Sequence, residues 1–151
     1  MRFTCSHYEF GVMTVSILKK YLPSKYGIYD VALMHDGFTV KGEYDVGTGV
    51  IWSLPINACV SGDGKHIGLE FLAPRLNSSV LSLFVSGDKM MSKILAGLKA
   101  MSDKVSGVEL KANVLWVDVD FFAKKLGWYS LVSSLNVLME RDRFVFESGE
   151  A

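Results

Sequence analysis

Apolar and polar residues alternate along residues 38–46, which is the pattern of a half-buried β-strand. The apolar face of this segment consists of Phe38, Val40, Tyr44 and Val46. The polar face consists of Thr39, Lys41, Glu43 and Asp45. The preceding Asp36-Gly37 pair is a strong signal for a two-residue hairpin turn, so residues 29–34 are predicted to pair with this strand.

A second alternating segment, residues 50–60, predicts a strand with one long buried face. Its apolar positions are Val50, Trp52, Leu54, Ile56, Ala58 and Val60. Pro55 lies in the middle and has no backbone donor, so this strand is expected either to lie at a sheet edge or to bend there. We favour a bend, in a sheet that curls. The Asp63-Gly64 pair then predicts a further hairpin turn.

Two segments instead have apolar residues at helical spacing. The first is predicted to begin at Thr14, a candidate N-cap, and to end at Pro23 and Gly27. The second runs over residues 88–105, with Asp88 as its N-cap and Gly107 as its stop. The apolar face of this second helix consists of Met91, Ile94, Leu95, Leu98, Met101 and Val105.

The remaining segments complete an α+β pattern. Residues 2–10 form a short strand or a loose arm, and residues 78–88 fit a helix or a strand. Residues 108–117 are predicted to be one strand, with apolar positions at Val108, Leu110, Ala112, Val114 and Trp116. A short helix capped by Asp118 or Asp120 and a terminal hairpin near Arg141-Asp142 follow. Because strands come in runs, we expect a single domain, residues 1–151, with a curved, mostly antiparallel β-sheet (a meander) packed on a long amphipathic helix.

Composition narrows the choice of partners. Sixteen basic residues balance sixteen acidic ones, which gives no whole-chain attraction to nucleic acid. No apolar run approaches the ~20 residues of a membrane span, and the first residues lack the apolar core of a signal peptide. Cytoplasmic residence is the default expectation, with export if a leader was removed.

Cys5 and Cys59 are interpreted as small hydrophobes, although a disulfide between them is left open.

Candidate chemistry is sparse. If the two Asp-Gly turns lie at the same end of the sheet, a metal site could form from His35, Asp36, Asp63 and His66. Turn chemistry explains the same aspartates, so we expect no metal site. The sequence VDVD at 117–120 is interpreted as helix N-capping. Without a catalytic motif we predict no catalytic residue and no cofactor, and we lean against an enzyme.

Apolar surface is the remaining clue. Met90, Met91 and Met101 lie in the second helix, and methionine lines adaptable binding surfaces. Trp52 and Trp116 lie on apolar strand faces. These side chains could complete the core, or the helix and sheet could separate enough to hold a hydrophobic ligand.

Two stretches also carry a family resemblance. The stretch LPSKYGIYDVALMHDGFTVKGEYDVGTGVIWSLPINACV and the later VDVDFFAKKLGW, followed by a terminal hairpin, resemble the small bacterial relatives of tubular lipid-binding (TULIP-like) domains. The resemblance implies a highly curved sheet around a long helix, with lipid held along the groove in some members. Such proteins are usually exported, whereas this chain shows no leader.

The sequence thus leads to a primary hypothesis and two alternatives. The primary one is a non-enzymatic binding protein with an apolar groove for a lipid-like or other hydrophobic ligand. Its predicted lining residues are Val40, Tyr44, Trp52, Leu54, Ile56, Met91, Leu95, Leu98 and Trp116. The first alternative is a structural or protein-interaction module with a fully packed core that self-associates, for example as a homodimer. The second is a small metal-dependent enzyme.

Overall fold

The computed structural model describes residues 2–34, 36–44, 49–77, 87–125 and 135–148. In chain order its elements are β1 Arg2–Ser6, α1 His7–Tyr21, a 3-10 turn Ser24–Tyr26, β2 Ile28–Met34, β3 Gly37–Tyr44, β4 Val50–Val60, β5 His66–Phe71, β6 Arg75–Leu76, α2 Gly87–Lys104, β7 Val108–Lys111, β8 Val114–Asp118, α3 Val119–Lys125, β9 Leu135–Glu140 and β10 Arg143–Ser148. Residues 81–86, part of the segment predicted as helix or strand, lie outside the described residues, as do residues 78–80.

The strands form two sheets. The larger has seven strands in the order β2-β3-β4-β5-β8-β7, with β6 also paired to β4. The smaller has the order β1-β10-β9 and joins the two ends of the chain. All of these pairings are antiparallel, so the predicted α+β class with an antiparallel sheet is confirmed. The separate small sheet was not predicted.

Strand β4 is the centre of the larger sheet, with β3 on one side and β5 and β6 on the other. The predicted inward positions of β4 are buried from Val50 to Ala58, and Val60 is half-buried against the core. Pro55 is therefore not in an edge strand. Its carbonyl accepts a bond from the Leu72 amide at 3.0 Å, at the point where the neighbour of β4 changes from β5 to β6. The missing donor of Pro55 thus falls in a gap between two pairings.

Trp52 is the largest of the fully buried side chains, with 1% of its surface exposed. Its indole N–H donates a 2.7 Å hydrogen bond to the Tyr26 carbonyl, which ties the 3-10 turn to β4. On β3, Gly42 lies opposite Trp52. A Cβ at Gly42 would lie 2.4 Å from the indole ring, so only glycine leaves room for the tryptophan.

The first helix begins earlier than the sequence predicted. Thr14 is not an N-cap but a buried residue within α1, where its hydroxyl donates to the Phe10 carbonyl at 2.8 Å. The N-cap is Ser6, whose hydroxyl accepts from the Glu9 amide at 3.1 Å. The prediction was wrong because Gly11 and polar His7 face the core in the first turns, where the pattern lacks the large apolar residues of an amphipathic helix.

The segment 108–117 is a hairpin and not one strand. Strands β7 and β8 pair with each other across a turn at Ala112-Asn113, and Ala112 adopts a left-handed φ of 53°. The turn shifts which residues of β8 face the core, because side chains alternate with a period of two. Leu115 is consequently buried, and Trp116 lies on the opposite face of the sheet, where its ring covers Gly68.

The core connects the layers. One buried cluster contains Phe38 of the larger sheet, Phe144 of the smaller sheet, Leu18 of α1, Met90 of α2 and Ala123 of α3. Among the helices of the described residues, none is long and apolar enough to cross a membrane.

The packing of Trp52 leads to a stability prediction. Gly42→Ala should lower the free energy of unfolding by about 2–3 kcal/mol, because the added methyl group overpacks the indole site. Gly62→Ala is the matched control, since a Cβ there meets nothing within 4 Å. Urea unfolding of both variants checks this, and equal effects of the two substitutions would contradict it.

Candidate interaction face

The structure buries most of the residues predicted to line a groove. Val40, Trp52, Leu54, Ile56 and Leu98 each expose at most 2% of their surface and belong to the buried cluster. Met91 and Leu95 of α2 are half-buried against the same cluster. These seven predicted residues are thus brought together, and they contact the core directly.

The other two predicted lining residues do not join this group. Trp116 lies on the opposite face of the larger sheet, as a result of the β7–β8 turn. The side chain of Tyr44 lies outside the described part of the structure.

Neither of two cavities lined by described residues contains any of the nine predicted residues. One is a cleft of about 550 Å³ between the end of β2 and the β9–β10 turn, lined by Met34, Glu140, Arg141, Asp142 and Arg143. The other, of about 230 Å³, lies beside the C-terminal end of α1 and is lined by Leu18, Lys19, Leu22, Pro23, Ser24, Tyr26, Gly27 and Ile28.

The two Asp-Gly turns lie at the same end of the larger sheet, because β3 and β4 pair from Gly37 opposite Asn57 onward. Two strand spacings separate them, which is roughly 10 Å. Asp63 serves its own turn, accepting from the Ser61 hydroxyl at 2.6 Å and the Lys65 amide at 3.0 Å. These bonds hold the pKa of Asp63 below its usual value.

The other residues considered as candidate metal ligands also have other partners or are not described. The His66 imidazole lies 3.9 Å from the Asp118 carboxylate, and His35 is outside the described residues. Asp118 also caps α3, because it accepts from the Phe121 amide at 3.0 Å, as the interpretation of VDVD expected. No group of three or more potential metal ligands is found within the described ranges.

Both cysteines are free thiols that are half-buried. Burial, with the nearby Glu9, raises the pKa of Cys5 to about 11. Burial, with the charge of Glu70, also raises the pKa of Cys59. Since the thiolate is the reactive form, neither side chain is prepared for nucleophilic chemistry.

The exposed apolar side chains are concentrated on one side of the molecule. Among the described residues eight large hydrophobic side chains are exposed, and five of them belong to α1 and β2. Four of these five, Tyr8, Val12, Tyr29 and Leu33, are here called the edge face. Each exposes between 45% and 59% of its surface, which is unusual for so many neighbouring apolar groups.

Gly11 sets the distance between α1 and the sheet below it. A Cβ at this position would meet the Val31 side chain at 2.6 Å and the Phe38 ring at 3.1 Å. Val31 thus faces α1, and Leu33, two residues further and opposite Phe38, faces the same way. The helix therefore lies directly over β2 and β3.

Tyr8 and Val12 lie on the flank of α1 that faces the free edge of β2. Phe10 occupies the other flank, because its ring packs 4.8 Å from the Phe144 ring of β10. In a helix, positions two residues away from Phe10 in either direction lie on nearly the opposite side. Tyr8 and Val12 of the helix and Leu33 of the edge strand thus lie on the same side of the larger sheet.

Among the residues that the structure describes, β2 has a neighbour on one side only, so its other edge carries backbone groups that no described strand pairs with. Two features interrupt that edge. A bulge displaces Tyr29, since the register to β3 shifts between Ile28 and Asp30. The Asp30 carboxylate accepts from the Val31 amide at 2.8 Å, which occupies one edge donor.

Sequence reasoning predicted β2 as a strand but did not identify it as an edge. The pattern of residues 29–34 gives no signal of strand order, because order depends on which of the later strands enters the sheet next to β4. The chain matches no family model, no curated protein and no solved structure with which it was compared.

Proposed function

We propose that this chain is a non-enzymatic interaction module that binds a second copy of itself through the free edge of β2. The observation that carries this proposal is the edge face: an unpaired strand edge flanked on both elements by exposed apolar side chains. An exposed apolar strand edge is a template for pairing with another chain. The packed core beneath it supports a structural module.

The sequence of β2 is complementary to itself. If two copies of the strand pair in regular antiparallel register about Val31, with the bulge at Tyr29 straightened, Tyr29 of one copy lies opposite Leu33 of the other, and this occurs twice. Asp30 then lies opposite Ala32, so no two carboxylates face each other. Such an isologous arrangement joins the two larger sheets into one and covers Tyr8 and Val12 as well.

Asp30 acts against this pairing. Its carboxylate occupies the Val31 amide, which must be released before the amide can donate to a partner strand. A charged residue on an edge is a common means of keeping strands apart. In this proposal Asp30 keeps the association reversible.

The expected result in sedimentation equilibrium of the full chain is a mass twice the 16.7 kDa of one chain. Leu33→Asp should weaken the dimer about 100-fold, because the isologous contact loses apolar burial at two places. Met13→Asp is the matched control, since Met13 is similarly exposed but lies away from the β2 edge on α1. Asp30→Ala should strengthen the dimer.

A compensating change tests the register itself. Adding Tyr29→Lys to the Leu33→Asp chain should restore dimerisation, because each new ammonium lies opposite a new carboxylate of the other copy. A chain that stays monomeric at about 200 µM, or a Leu33→Asp variant that dimerises as tightly as Met13→Asp, would contradict the proposal.

The second candidate function is the binding of a lipid-like ligand, as in TULIP-like domains. In this candidate α2 is a long amphipathic helix, the larger sheet curves around it, and the ligand lies between the two. The methionines of α2 favour it: Met90 and Met101 are buried at the helix–sheet contact, and Met91 is half-buried beside them. Because Trp52, Leu54 and Leu98 are already buried, entry of a ligand requires α2 to move away from the sheet.

Native mass spectrometry of the purified chain with added oleate tests this candidate. Ligand binding predicts one bound oleate per chain and a rise in the melting temperature. Met91→Glu should weaken that binding about tenfold or more, whereas Met13→Glu should leave it unchanged. An unliganded mass, with no thermal shift from oleate, removes the candidate.

A further inference from the structure

His7, the first residue of α1, is buried in an unusual way. Its side chain has 0% of its surface exposed. Neither ring nitrogen has a hydrogen-bond partner among the residues that the structure describes. Buried polar side chains are nearly always hydrogen-bonded, so an imidazole without a partner requires a physical explanation.

The surroundings of His7 belong to three elements. Its backbone amide donates to the Asp142 carbonyl in the β9–β10 turn at 2.9 Å. Its ring meets the Phe144 ring of β10 edge-on, with 4.9 Å between the centroids. The start of α1 is thus attached to the β9–β10 hairpin through a backbone bond and an aromatic contact.

The charges that act on the imidazole come from the carboxylates of Asp142 and of Asp36, in the turn between β2 and β3. Asp142 is itself paired with Arg143 at 2.9 Å. Glu140 and Arg141, in the same β9–β10 hairpin as Asp142, line the cleft of about 550 Å³ together with it. The cleft is therefore lined by one of these two carboxylates, that of Asp142, whose backbone carbonyl accepts from the His7 amide.

We propose that His7 is a pH-sensitive lock, which holds the start of α1 against the β9–β10 hairpin when it is neutral and releases it when it is protonated. An imidazolium without hydrogen bonds is costly to bury. Its positive charge is drawn toward the carboxylates of Asp142 and Asp36. Protonation thus moves the ring outward and loosens the contact with Phe144.

The pH range follows from the direction of the shift. Burial lowers the pKa of His7 from 6.5, and the charges of Asp142 and Asp36 only partly oppose that effect. The unfolded or released state therefore binds the proton more readily than the folded state does. The stabilisation is fully present above about pH 6.5, falls as the pH drops through that value, and stops falling below the folded pKa.

The experiment compares the thermal stability of the full chain at pH 7.5 and pH 5.0 in three forms. For each unit by which the folded pKa lies below 6.5, the unfolding constant of the wild-type chain should rise by up to about tenfold at the lower pH. His7→Phe keeps a ring against Phe144 and should lose that part of the pH dependence. His66→Asn removes a more exposed histidine and should retain it.

Two further readouts separate the lock from a general acid effect. An NMR titration of the wild-type chain should give His7 a pKa below 6.5, and amide exchange at acidic pH should speed up first at the start of α1 and in β10. A folded pKa at or above 6.5, or His7→Phe or His7→Leu chains with the wild-type pH dependence, would overturn the proposal. Repeating the measurement in the Leu33→Asp background keeps the result independent of self-association.

Discussion

The fold depends on one buried tryptophan in a strand that has neighbours on both sides. Trp52 fills the space left by Gly42 on β3, and its indole N–H reaches back to the carbonyl of Tyr26. A buried indole donor without a partner would cost on the order of 1–3 kcal/mol, so the 3-10 turn is held in place by that bond. The position of the 3-10 turn then fixes where β2 begins. It thereby also fixes the position of the free edge of β2.

Much of the larger sheet was predictable from local pattern. The alternation in β4 and the hairpins β2–β3 and β4–β5 were predicted correctly, because a period of two and turn chemistry are local properties. Gly37, however, is the first residue of β3 and not a turn residue. Pro55 was interpreted as a sign of an edge or a bend, yet it lies where β4 changes partners. To predict this position for Pro55 one must know that β5 ends beside it and that β6 follows after a short connection. No local signal near Pro55 reveals this.

The errors arise where tertiary contact or an uncommon backbone conformation replaced a local preference. Gly11 faces the core because α1 passes very close to Val31, and buried His7 lies four residues earlier on the same side of the helix. Neither residue type belongs to an apolar stripe. Ala112 adopts a turn conformation that alanine rarely takes, so a hairpin was predicted as one strand. The candidate groove residues were identified as apolar and inward-facing, and most are buried, but periodicity cannot tell a packed core from a ligand-binding space.

The strand pairing in the smaller sheet constrains the order in which parts of the chain can fold. Within the described part of the chain, β1 pairs with β10 alone, with Arg2 opposite Glu147, so residues separated by nearly the whole chain must meet before β1 is paired. Closing so large a loop is slow, and local helix formation precedes it. During synthesis α1 can form early, yet its first turn cannot be seated until the β9–β10 hairpin has been made. Until then the aromatic side chains of both segments are uncovered, so the β1–α1 segment can meet wrong partners before the hairpin forms.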